Sequence, residues 1–146
     1  MKLPRIHLLS RADRERIVAA IRAAEHKTSG EIRVHVQPHC GADPVRDATR
    51  VFERLRMTRT AARNGVLIFL AVRDRRFAVI GDTAIHAAVG DAFWQATADA
   101  MTPHFARGDL AGGLESGVRA AGEALKRHFP HKRNDVNERP DTISEG

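Results

Sequence analysis

Four carboxylates lie at predicted turns or element boundaries, and carboxylate oxygens are preferred ligands of hard divalent ions. They are Glu31, Asp74, Asp82 and Asp91. An ion held by such oxygens can neutralise charge on a phosphate ester and position an attacking water. The same ligands also suit a calcium site that has no catalytic role. The positions of these four residues in the fold therefore decide which of them can act together.

The predicted topology brings Glu31 and Asp82 to one end of a small sheet. Glu31 opens the first predicted strand, and Asp82 follows the third, which runs antiparallel to the second. We expect a divalent-metal site at this end, formed by Glu31, Asp82 and Asp91, with further oxygens available from Thr28, Ser29 and Asn64. Each ligand also has a structural explanation, because Asp91 can cap a helix, Asp82 can shape a turn and Glu31 can pair with an arginine.

A second candidate site lies at the opposite end of the sheet, roughly 20 Å away for strands of this length. Arg73, Asp74 and Arg75 form the hairpin there, and His39 is expected nearby. Two arginines beside one aspartate can clamp a phosphate, and the C-terminal ends of parallel strands are a common place for ligands. The hairpin therefore predicts an anion site, with a solvated charged turn as the alternative.

Nucleophilic catalysis has little support in the sequence. Cys40 is the only cysteine, and its neighbour His39 would rarely point at it in an extended loop. The chain has no Gly-x-Ser-x-Gly elbow, Walker loop or Asp-x-Asp motif, so it predicts no enzyme of those classes. His86, Phe93 and Trp94 are expected to be packing residues.

The elements that must position these residues can be predicted from hydrophobic periodicity. Helices are predicted at 11–26, after the N-cap Ser10, and from Pro44 onward. Residues 31–37 alternate as an edge strand does, whereas 65–72 are apolar throughout, as in a central strand. A hairpin leads to an antiparallel strand at 76–80, and helices follow at 83–89, 92–105 and 110–129. The predicted fold is α/β with a small mixed sheet.

Length and composition indicate one domain. The chain has 146 residues, which suffices for a single core, and we place the domain at 1–130 with a polar tail at 131–146. The net charge of +6 is spread along the chain without a cluster of exposed aromatics, so we expect no nucleic-acid partner. The sequence shows no signal peptide and no membrane-length apolar run, so we expect a cytoplasmic protein without a membrane segment.

The tail carries two isolated β-branched residues, Val136 and Ile143, in an otherwise polar segment. We expect it to dock with Ile143 as its anchor, because an edge strand at 31–37 would present unpaired backbone groups. The acceptor can be the same domain or a copy of it. Exchange of the tail between copies would give a homodimer.

Several ordered motifs together resemble the TPM domain family, in particular its soluble bacterial branch. They are TSGEIRV at 28–34, RNGVLIFLA at 63–71, RDR at 73–75, IGD at 80–82, VGDAFW at 89–94 and NERPDTIS at 137–144. The resemblance implies an α/β/α sandwich with helices on both faces of the sheet. It also implies divalent-metal binding, calcium in particular, in some members, phosphatase activity in plant members and accessory roles in others.

Two departures from the family pattern bear on function. Many relatives carry a signal peptide and a membrane helix that this sequence lacks, and Ala84 stands where relatives often have glycine. We therefore expect a metal-responsive, calcium-type binding or accessory module with an unidentified protein partner. The alternative is a weak metal-assisted phosphatase acting on phosphate esters.

Overall fold

The computed structural model describes residues 8–130 and 143–145. It contains four helices, α1 (Arg11–Glu25), α2 (Pro44–Arg54), α3 (Thr83–Ala106) and α4 (Leu110–His128). The four strands are β1 (Ile32–Gln37), β2 (Val66–Ala71), β3 (Arg76–Gly81) and β4 (Ile143–Glu145), and they form one sheet in the order β3-β2-β1-β4. The predicted tail lies outside the described residues except for β4.

The sheet is mixed, as the sequence predicts. β2 is buried at every position and pairs in parallel with β1, with Ile32 opposite Val66. It pairs antiparallel with β3, with Val66 opposite Gly81. A larger core lies between the sheet and α1, α3 and α4, and a smaller one lies between the sheet and α2. The α/β architecture with helices on both faces is therefore confirmed.

The prediction that β1 is an edge strand is wrong. β4 pairs with it in parallel, with Val34 opposite Ile143, so β1 lies inside the sheet. Ile143 is buried in the larger core. The polar residues of β1 suggested a wet face, but His35 is buried and stacks on Phe69 under α2. The strand therefore has polar residues on a covered face, which a six-residue alternation cannot distinguish from an exposed one.

The helix boundaries follow from their caps. Ser10 accepts a hydrogen bond from the Asp13 N–H at the start of α1, and Asp43 caps α2 ahead of Pro44. The helices predicted at 83–89 and 92–105 correspond to the two parts of α3, which is interrupted at Gly90, where φ is +77°. In the described residues no helix is both long and apolar enough to cross a membrane.

The glycines of α4 allow its neighbours to approach closely. A Cβ at Gly113 would lie 2.4 Å from the Phe105 ring, and one at Gly117 would lie 2.9 Å from the Met101 side chain. Both distances are too short for a real Cβ, so a larger residue at Gly113 would displace the Phe105 ring, and one at Gly117 would require the flexible end of Met101 to shift. The glycines that weaken α4 as an isolated helix thus support its packing.

Candidate functional site

Buried polar side chains are concentrated at the end of the sheet where β1 and β2 begin and β3 ends. Thr28, Glu31, Asn64 and Asp82 are each at most 5% exposed, and they are four of the six buried polar residues in the described part of the chain. We call these four residues the polar end. Burying polar groups costs free energy unless they are partnered, so such a concentration marks a place where structure or function requires them.

The backbone ladder positions two of the predicted ligands on either side of Gly65. The Val66 N–H donates to the Glu31 carbonyl at 2.8 Å, and the Asp82 N–H donates to the Gly65 carbonyl at 2.8 Å. Adjacent strands lie about 4.8 Å apart, so the backbones of Glu31 and Asp82 are separated by roughly 10 Å. Side chains can close that separation around a shared ion.

Asp82 has a permanent cationic partner that the sequence analysis missed. Arg63 donates from Nε to Oδ2 at 2.8 Å and from Nη2 to Oδ1 at 2.9 Å. Asp82 also caps α3 by accepting from the Thr83 N–H at 2.7 Å. The hydrogen bonds and charge of Asp82 raise the pKa of Arg63 above its usual range. An arginine directly before Asn64 in the RNG motif was the available signal.

Asn64 is fully buried and has a free acceptor. Its amide nitrogen donates to the Ser29 hydroxyl at 3.3 Å, while Oδ1 receives no hydrogen bond from any residue in 8–130 or 143–145. Thr28, by contrast, is fully used: its hydroxyl contacts the Leu125 and Phe129 carbonyls and accepts from the Gly30 N–H. Thr28 therefore ties β1 to α4, and Asn64 is the better source of an additional oxygen ligand.

Asp91 lies apart from the other predicted ligands. It directly follows Gly90, where α3 is interrupted, and it does not join Glu31 and Asp82 in a metal-ligand group among the described residues. Its side chain is 97% exposed and its Oδ1 lies 3.5 Å from His86 Nε2. His86 is half-exposed, not packed in the core, and its Nδ1 accepts from the Trp94 indole.

At the opposite end of the sheet, Asp74 turns toward the loop after β1. Its carboxylate lies 3.0 Å from His39 Nδ1 and accepts from the Cys40 N–H at 2.8 Å. These hydrogen bonds, first that of His39 and then that of Cys40, lower the pKa of Asp74. Arg73 and Arg75 are exposed on the hairpin. The partner of Asp74 is therefore His39, and no bond to the two flanking arginines is found within the described residues.

The Cys40 thiol is poorly suited to nucleophilic attack. Its burial raises its pKa above the usual value, and the nearby Asp47 carboxylate acts in the same direction. The thiol remains protonated at neutral pH and contacts the Gly41 carbonyl at 3.3 Å. Across the described residues, no three His, Cys, Asp or Glu side chains are grouped as metal ligands. An ion at the polar end would therefore also need amide or hydroxyl oxygens.

Comparisons with solved structures find close relatives. The chain is 43% identical to the BA42 protein of the psychrophilic bacterium Bizionia argentinensis, with 96% of this chain and 97% of that chain covered and a TM-score of 0.88. It is 27% identical to an N-terminal domain from P. gingivalis, with 86% and 83% covered and a TM-score of 0.65. No curated protein matches the chain.

A more distant structure shows the same fold alone. The N-terminal domain of the cg2496 protein from Corynebacterium glutamicum is 23% identical, with 81% of this chain and 74% of that chain covered and a TM-score of 0.60. The family model of the TPM domain matches residues 5–124, which is most of the chain. The protein therefore belongs to the TPM domain family.

Proposed function

We propose that this protein is a divalent-cation-responsive binding module whose ion is held at the polar end. The observation that carries the proposal is the concentration of buried polar side chains there, including the Asn64 Oδ1 that lacks a donor within the described residues. A cation binds most favourably at a buried acceptor that has no donor, because binding there satisfies the acceptor without breaking an existing hydrogen bond.

The donor set fits a hard cation. Glu31 and Asp82 offer carboxylate oxygens and Asn64 offers an amide oxygen, which are the ligand types that calcium accepts. Asp91 is left out of this set, because its side chain is exposed and lies beside His86. The ion would supply positive charge next to Glu31, and these residues would bind and orient it.

Arg63 favours a weak and therefore reversible site. Its guanidinium already occupies both oxygens of Asp82, so an added cation is repelled by one positive charge and competes for one ligand. We expect affinity in the millimolar range, as in the weaker calcium modules. A site of this strength responds to changes in ion concentration instead of staying filled.

We favour binding over the alternative of metal-assisted phosphate-ester hydrolysis. The thiol of Cys40 is protonated, and His39 is engaged by Asp74 at the other end of the sheet from the polar end. Neither residue is therefore available beside the proposed ion as a nucleophile or base. A phosphatase here would depend on water alone as its nucleophile.

Thermal unfolding with and without calcium chloride tests the site. At a free calcium concentration roughly ten times Kd, binding adds about 1.4 kcal/mol to the unfolding free energy, which raises Tm by a few degrees. Asp82→Asn should remove most of this calcium-dependent increment, and Arg63→Gln should enlarge it. Asp91→Asn is the matched control and should leave it unchanged. An increment that is absent, or equal in Asp82→Asn, would contradict the site.

A further inference from the structure

A mostly apolar cavity of about 320 Å³ lies at the hairpin end of the sheet, beneath the turn between α3 and α4. Its walls include Val72 after β2, Phe77 on β3, Phe105 on α3 and Leu110 at the start of α4. The polar end lies at the other end of the sheet, and Cys40 beside Asp74 packs on the opposite face. The cavity is therefore separate from the polar end, and it shares only Arg75 with the anion site predicted at the hairpin.

The aromatic wall of the cavity is fixed by packing. The Phe77 and Phe105 ring centroids are 4.9 Å apart with the ring planes inclined at 60°. Behind Phe105 stands Gly113, where a Cβ would meet the ring at 2.4 Å. Because the ring is held between a strand and a helix, the wall keeps its shape without a ligand. Preformed concave apolar surfaces of this kind are typical of small-molecule sites.

The rim of the cavity carries one charge. Arg75 is the only charged residue among those that line it, and it is exposed with no hydrogen bond or ion pair to any residue the structure describes. Asp74 cannot neutralise it, because its carboxylate is held by His39 and the Cys40 N–H. The hydroxyl of Thr102, also on the rim, donates to the Ala98 carbonyl at 2.9 Å. Arg75 is thus the available side-chain donor.

We propose that this cavity binds a small amphiphilic anion, a single short hydrocarbon chain whose carboxylate head contacts Arg75. The volume is at the lower end of the range for small-ligand sites, which suits one short chain. Burial of the chain against Phe77 and Phe105 supplies affinity, and the guanidinium selects an anionic head and sets its orientation. The inference is independent of the proposed cation site, because the two use different residues at opposite ends of the sheet.

Titration of the full chain with sodium octanoate tests the proposal. Methyl NMR spectra should show saturable shifts confined to cavity methyls such as those of Val72 and Leu110, and calorimetry should give Kd. Arg75→Gln should weaken octanoate binding about tenfold, because it removes a charged hydrogen bond. Arg75→Lys should retain most of the affinity. Arg73→Gln removes a neighbouring exposed arginine that does not line the cavity, so it is the matched control and should bind as the native chain does.

Two further ligands separate the roles of chain and head. Octanol has the chain without the charge, and it should bind the native protein and Arg75→Gln equally. Butyrate has the charge with a short chain, and it should bind far more weakly than octanoate. Equal octanoate affinity in Arg75→Gln and the native chain, or shifts scattered over the surface, would overturn the proposal. Binding to phosphatidylglycerol vesicles but not to soluble octanoate would overturn the assignment of a soluble acid.

Discussion

The Asp82 and Asp74 carboxylates have similar hydrogen-bond partners at opposite ends of the sheet, and they differ in burial. Each contacts one basic side chain and accepts from one backbone N–H: Arg63 and Thr83 for Asp82, His39 and Cys40 for Asp74. The Asp82 side chain is 4% exposed, whereas that of Asp74 is 27% exposed. The same set of contacts is therefore formed in a drier environment at the polar end, where each contact is stronger.

The two partners also differ in kind. Arg63 contacts both oxygens of Asp82 and keeps its charge at every physiological pH, whereas His39 contacts Asp74 through Nδ1 alone. Arg63 is thus a fixed counter-charge for Asp82. The hairpin end is held by a more exposed contact, which is weaker because water screens it. This difference teaches that similar contacts are formed at two levels of burial: the Asp82 carboxylate is held away from water, whereas the Asp74 carboxylate is partly solvated.

The largest expected effect concerns β4, the strand that completes the sheet between the two ends. β4 pairs with the middle of β1, and Ile143 is buried there. Ile143→Ala should lower the unfolding free energy by about 2 kcal/mol, as measured by urea unfolding, because it deletes buried apolar groups. Glu145→Gln, which removes only an exposed contact with Arg14, is the control and should cost under about 0.5 kcal/mol.

Protein concentration distinguishes docking within a chain from exchange between copies. If β4 docks on its own domain, Tm is independent of concentration and light scattering gives a monomer. A Tm that rises with concentration, together with a doubled mass, would show that the tail is exchanged in a homodimer. In that case β4 of one chain would complete the sheet of the other chain.

The second prediction compares the two carboxylates directly. Asp82→Ala should cost about 1–2 kcal/mol from the lost helix cap, and the loss of its two hydrogen bonds with Arg63 adds to this cost. Asp74→Ala should cost less, because its contacts are partly solvated. Urea midpoints of the two variants, at unchanged m-value, provide the comparison. Equal losses would mean that burial does not distinguish the two ends.

The smallest effect concerns pH. The folded-state pKa of Asp74 lies below its unfolded value, so the group stabilises the fold above the unfolded pKa of about 3.9, and this contribution is lost as pH falls through the folded value. Asp74→Asn should therefore lower stability at pH 7, and the difference from the native protein should shrink as pH falls below the unfolded pKa. Urea unfolding across that range measures the convergence. A double-mutant cycle with His39→Gln should show coupling at pH 7 that decreases as Asp74 becomes protonated at low pH.

Much of the fold could be predicted because the signals were local. The all-apolar run of β2, the hairpin at Asp74 and the caps Ser10 and Asp43 each depend on neighbouring residues only. The pairing of β4 with β1 joins segments that are more than 100 residues apart. The anchor Ile143 could be named from the sequence, but the internal position of β1 could not.

The candidate site was predictable in topology and not in detail. Strand direction alone brings Glu31, Asn64 and Asp82 to one end of the sheet. The bond from Arg63 to Asp82 depends on a loop conformation with φ of +52° at Arg63, which no periodicity reports. Asp91 was grouped with the ligands by motif, but its side chain is exposed and lies beside His86.

The glycines of α4 also have a consequence for the order of folding. Four glycines lie in its 19 residues, and each costs up to about 1 kcal/mol of intrinsic helix stability relative to alanine. A peptide of this segment alone should therefore show little helix in water. The glycines are favourable only once Phe105 and Met101 are in place to fill the space beside them. We therefore expect α4 to form late, after the residues that pack against it are in place. Amide exchange during refolding should show that α4 becomes protected after β2.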